Sequence, residues 1–146
     1  MKYLIAALVA SLSVSAFADD DTDFMLKGRW ATLAMLKDPA TKVEIESNSV
    51  RRDQYPEVMF SIRYVLTGSE SERGLSSEHG QYNVKVVKMA LDCDERKSAI
   101  FQNLFWFIDH NAKTVAFKGK AWGTSNWLDL SDSSFFWDVL PAICHS

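Results

Sequence analysis

Side chains able to exchange protons, attack a carbon or hold a metal are few in this chain, and they are scattered. His79 sits in a polar segment, His110 in an Asp-His-Asn turn sequence and His145 next to the last position. None has a second histidine or a cysteine at ligand spacing, so no metal site is expected. Ser76, Ser77 and His79 are neighbours in sequence, but a Gly/Ser/Glu-rich stretch offers neither a fixed base nor an oxyanion hole. Asp92 and Asp94 form a carboxylate pair of the kind glycoside chemistry uses. They alternate with Cys93 on a strand pattern, however, and read as solvated strand-end charges. No G-x-S-x-G, H-E-x-x-H or P-loop spacing occurs. The expectation is a protein that is not an enzyme and carries no cofactor.

Aromatic residues are the more informative group. Phe101, Phe105 and Phe107 alternate with Leu104, Trp106 and Ile108, so the strand they form is apolar on both sides. Two readings stay open: plain core with cover from the N-terminal segment, or a dimer or ligand surface using Trp106. Trp122 and Trp127 bracket Gly123-Thr124-Ser125-Asn126, a loop able to present aromatics to a partner. Trp137 lies off the apolar stripe of a C-terminal helix. Trp106, Trp122, Trp127 and Trp137 are therefore the candidate partner-binding residues.

The elements that must hold these residues follow from composition and periodicity. The 146 residues are 47% hydrophobic and 24% charged, with a formal net charge of −3, which fits one globular domain and gives no basic surface for nucleic acid. Lys2, the apolar run Tyr3–Ala10 and the closing Ala16-Phe17-Ala18 read as a signal peptide over residues 1–18, too short to span a membrane. No cysteine stands at the cleavage point, so a lipoprotein is not expected and export to the periplasm, the medium or the cell surface is. In an oxidising compartment the pair Cys93 and Cys144 defaults to one disulfide, with a free pair or a two-thiolate metal site as competitors. Residues 19–29, opening Asp19-Asp20-Asp21, read as a flexible acidic tail, and the domain proper as 30–146.

From Trp30 the pattern is that of strands. Val58, Phe60, Ile62, Tyr64 and Leu66 fill alternate positions, with Glu57, Ser61 and Arg63 between them. Similar runs cover Trp30–Leu36, Val43–Ile45, Tyr82–Cys93, Lys97–Ile108 and Thr114–Ala121, giving about six antiparallel strands in a meander. Gly68–Gln81 reads as a long mobile loop and Asp109–Lys113 as a hairpin turn. In Thr114–Ala121, Val115, Phe117 and Ala121 are expected on one face and Lys118 and Lys120 on the other. Phe136, Val139, Leu140 and Ile143 then switch to helical spacing, with Ser131, Asp132 and Ser133 as N-cap candidates and Pro141 as a distortion. The expected class is α+β: a six-stranded sheet with one C-terminal helix packed across it.

The order of these features resembles the surface-adhesin E family of bacterial exported proteins. The likeness runs from Trp30 to Cys144 and rests on Ile45-Glu46-Ser47-Asn48-Ser49-Val50-Arg51-Arg52, on Leu91-Asp92-Cys93-Asp94-Glu95-Arg96-Lys97, and on Trp127-x-x-Leu130 followed by Leu140-Pro141-Ala142-Ile143-Cys144. The resemblance implies a helix tied by a disulfide to the concave face of a six-stranded antiparallel sheet. It also implies adhesion to another protein, including host extracellular proteins. Glu46 stands where the family usually has Asp, and the family's namesake is a lipoprotein, which this chain is not expected to be. The functional expectation is an exported, adhesin-like binding protein that contacts another protein through a sheet edge or aromatic loops, with a homodimer among the arrangements open to it. The competing class is a periplasmic inhibitor or immunity protein that blocks a toxic enzyme.

Overall fold

In the computed structural model, residues 19–78, 80–109, 115–123, 126–130 and 135–145 are described. The expected leader, His79, His110 and the N-cap candidates Ser131, Asp132 and Ser133 lie outside them. The chain opens with helix α1 (Asp19–Lys27) and then strands β1 (Trp30–Lys37), β2 (Ala40–Glu46), β3 (Arg51–Gln54) and β4 (Glu57–Leu66). A single helical turn, α2 (Glu70–Arg73), precedes the small hairpin of β5 (Leu75–Ser77) and β6 (Gly80–Tyr82). Strands β7 (Val84–Asp92), β8 (Lys97–Ile108), β9 (Val115–Trp122) and β10 (Leu128–Asp129) follow, and helix α3 (Phe136–His145) ends the chain. The six long strands form an antiparallel meander in the order β1-β2-β4-β7-β8-β9, with short β3 on β4 and short β10 on β8. The α+β meander read from periodicity is the observed architecture.

One face of the sheet is built as alternation requires. Val58, Phe60 and Ile62 from β4 and Val87, Met89 and Leu91 from β7 form a buried cluster with Phe136, Leu140, Ile143 and Cys144 of α3. Val139, the fourth member of the expected stripe, is only partly buried. Pro141 is accommodated inside α3, on its exposed side. Cys93 and Cys144 are joined, with their Cα atoms 5.9 Å apart, so the last helical turn is stapled to the end of β7. Arg52 adds a second tie, donating from Nε and Nη2 to the Ile143 carbonyl at 3.1 and 2.7 Å. A guanidinium placed there satisfies a carbonyl that the helix end leaves open and meets the negative end of its dipole.

The opposite face carries the main correction. Residues 19–27 are helical and packed, where a flexible tail was expected. The acidic run suits the positive end of a helix, and Asp21 lies 3.3 Å from Lys120 and 4.0 Å from Lys88. Met25 is 1% exposed within a second cluster made with Val84, Val86, Leu104 and Trp106. Thr22 Oγ1 accepts the Trp106 indole N–H at 3.1 Å.

Arg63, expected among solvent-side residues, fastens this helix. It donates from Nε to Glu44 Oε2 at 2.7 Å and from Nη1 to the Met25 carbonyl at 2.5 Å, and its guanidinium lies 4.6 Å from the Trp30 ring centroid. Glu44 is 3% exposed and also holds Lys42 at 2.9 Å. Ser61 and Arg63, between the apolar positions of β4, thus face a second layer, whereas Glu57 at the start of the strand is open to solvent.

The expected mobile loop, Gly68–Gln81, is also structured in its described part. Buried Asn83 ties it down, donating to the carbonyls of Ser71 (2.9 Å) and Ile108 (2.7 Å) and accepting from Ile108 N at 2.8 Å.

Arg63→Ala should destabilise the protein by about 3–5 kcal/mol, because Glu44 stays buried without its main partner. Glu44→Gln added to Arg63→Ala should recover part of that loss. Urea denaturation of the two variants measures both, and a cost below about 1 kcal/mol for Arg63→Ala would contradict the buried pairing.

Candidate functional site

The four candidate tryptophans do not gather into one site. Trp106 is 0% exposed beneath α1, with its ring 5.5 Å from that of Phe117. It is a core residue, and its assignment as a contact residue, or as the centre of a dimer surface, is withdrawn. Cover from the N-terminal segment accounts for it. Trp137 is partly buried against the α3 cluster, under the Arg96 guanidinium at 4.4 Å. Its indole N–H is buried and finds no acceptor among the described residues. Trp127 is partly buried beside β10, and Thr124 and Ser125 of its loop lie outside the described residues. Trp122, at the end of β9, is 78% exposed.

Two bulges decide what lies beside Trp122. Between β7 and β8 the register passes from Met89↔Ile100 to Lys88↔Gln102, leaving Phe101 as an extra residue. An extra residue switches the faces of everything beyond it. Phe101 therefore points to the α1 side, while Phe105 points to the other and packs on Tyr82 at 4.9 Å. The expectation that Phe101, Phe105 and Phe107 share a face is corrected accordingly. On β9 the register skips Lys118, so Phe117, Lys120 and Trp122 share the α1 side and Ala121 leaves it. That overturns the simple alternation expected for this strand.

The outcome is an apolar area at the end of the α1 face that α1 does not reach. Met59 of β4 is paired with Ala90 of β7, which is paired with Ala99 of β8. The two alanines are buried, whereas Met59 is 43% and Phe101 40% exposed, with Trp122 beyond them. Sequence reasoning found Trp122 and missed Met59 and Phe101. Met59 could have been found as an apolar residue out of phase with Val58, Phe60 and Ile62, as Val65 also is; Phe101 depends on the bulge.

Gly123 holds Trp122 in place. Its N–H donates to the Phe101 carbonyl at 2.9 Å, and a methyl group at its Cα would overlap the Ile100 carbonyl. Only a residue without a side chain lets the chain end β9 this close to β8.

Some titratable groups elsewhere are committed to structure. Asp92 Oδ1 accepts the amides of Asp94 (3.0 Å) and Glu95 (2.8 Å), building the turn after β7. On the α3 side, burial raises the Tyr64 hydroxyl pKa and lowers that of Lys85, whose Nζ lies 4.9 Å from the Tyr64 ring. Among the described residues no three His, Cys, Asp or Glu side chains converge to hold a metal. The geometry is that of a meander sheet covered by one helix on each face, with an apolar end left bare. Comparison of the chain with protein-family models, curated proteins and solved structures returns no match.

Gly123→Ala should cost about 1–3 kcal/mol, as expected when a methyl group is forced against fixed backbone. Chemical denaturation checks it, and a neutral result would mean that β9 ends with more room than the structure shows.

Proposed function

We propose that this is an exported, non-enzymatic binding protein that docks another protein against Met59, Phe101 and Trp122. The observation that carries the reading is that these three side chains are exposed on the face where α1 buries Val84, Val86, Leu104 and Trp106. Large aromatic side chains at the centre of such a patch are what interface hot spots are made of. The leader-like residues 1–18 and the Cys93–Cys144 disulfide support export, and no described helix is long and apolar enough to cross a membrane. The sequence likeness to surface-adhesin E proteins supports adhesion as the purpose of the contact.

Capture of proteins from host extracellular-matrix and bacterial envelope fractions is the test. Trp122→Ala should weaken capture of the main partner by about 30-fold, the size of a 2 kcal/mol hot spot. Its unfolding midpoint should stay close to that of the parent, since the side chain is exposed. Capture that is indifferent to Trp122→Ala and to Phe101→Ser would refute the assignment of the surface. A captured hydrolase that loses activity on binding would replace adhesion with inhibition as the purpose.

A further inference from the structure

The sheet has two lateral edges, and they are built differently. Strand β9 carries Lys118 and Lys120 along its length, and charge on an edge discourages pairing with another chain. Strand β1 has no charged residue from Trp30 to Leu36, and among the described residues it pairs only with β2.

The hydrogen bonds around β1 show which of its backbone groups are free. The Arg29 carbonyl accepts from Ser47 N at 2.9 Å, so Arg29 faces β2 and Trp30, one residue on, faces outward. At the other end the Ala40 carbonyl accepts from Thr67 N at 2.8 Å. Ala40 therefore faces away from β1, and its opposite number Lys37 turns its own N–H and C=O outward. Alternation from the two ends gives Trp30 and Thr32, then Met35 and Lys37, as the outward residues. The bulge at Leu33, between Thr32↔Glu44 and Ala34↔Val43, absorbs the change of phase.

This edge is complementary to itself. A two-fold axis normal to the sheet, passing between Leu33 and Ala34, sets the outward groups of Trp30 against those of Lys37 of the second copy, and Thr32 against Met35. The same register places Arg29 opposite Asp38 of the second copy, twice by symmetry, and lays a lysine next to the Trp30 ring. Met35, 59% exposed in the single chain, lies inside the joint. We infer that β1 pairs antiparallel with β1 of a second copy of this chain, joining two sheets into one. An axis normal to the sheet keeps α1 of both copies on the same side. The dimer thus displays two Met59–Phe101–Trp122 surfaces in one direction, and a ligand with repeated sites would be held by both. The pairing rests on the β1 edge alone and does not depend on what the Trp122 surface binds.

Sedimentation velocity over a range of concentrations tests the pairing on the purified protein. The parent should shift from the chain mass to twice that mass as concentration rises. Thr32→Pro removes an outward N–H that the single chain does not use, and it should abolish the shift. Asp38→Arg should raise the dissociation constant at least tenfold, and Arg29→Asp combined with Asp38→Arg should restore it. Trp122→Ala should leave the dimer intact. A parent that stays monomeric at every concentration would overturn the inference. So would a dimer that survives Thr32→Pro, or one whose charge swap restores nothing; the charge variants decide if Thr32→Pro fails to fold.

Discussion

A sheet that is apolar on both faces must be covered on both, and most of this structure follows from that requirement. β7 makes it plain: Val86, Val87, Met89, Ala90 and Leu91 are all buried, although neighbours in a strand point to opposite sides. Each helix answers for one side. α3 brings its own apolar stripe and is stapled through Cys93 and Cys144. α1 brings little apolar surface beyond Phe24 and Met25 and is held by polar ties, with Asp21 on Lys88 and Lys120, Thr22 on Trp106, and Arg63 on the Met25 carbonyl. Arg63 belongs to β4, at the centre of the sheet, and through Glu44 it joins β2 to the same contact.

The covered side of the sheet that α3 occupies was legible in the sequence. Val58, Phe60 and Ile62 alternate without interruption, Phe136, Leu140 and Ile143 keep helical spacing, and two cysteines behind a leader-like sequence are expected to pair. The other side was not legible, for identifiable reasons. Nine residues headed by three aspartates are too few and too polar to announce a helix, because such a segment folds only through its tertiary contacts. Arg63 and Glu44 look like solvent-side charges until each is seen to be the other's partner. The bulges at Phe101 and Lys118 are single-residue events that no period reveals, yet each decides which aromatic residues meet.

The site inherits both the legible and the illegible parts. Trp122 could be singled out from sequence as an aromatic beside a turn. Its neighbourhood, and the removal of Trp106 from it, required the bulges and the helix. Cover of this face is incomplete: Asp21 of α1 meets Lys88 and Lys120, while Met59, Phe101 and Trp122 stay exposed. The sheet's edges also differ, one carrying Lys118 and Lys120 along its length and the other uncharged from Trp30 to Leu36.

The central claim is that residues 19–27 are a structural layer of the domain. Hydrogen–deuterium exchange of the native protein, read at the amides of Phe24 to Gly28, tests it most directly. The Gly28 amide donates to the Phe24 carbonyl at 3.1 Å, and the helix is clamped by Arg63. These amides should therefore exchange more slowly than free chain by on the order of 100-fold or more. Exchange at the free-chain rate from Phe24 to Gly28, with β7 still protected, would contradict the account: the second face would then be open and Trp106 uncovered.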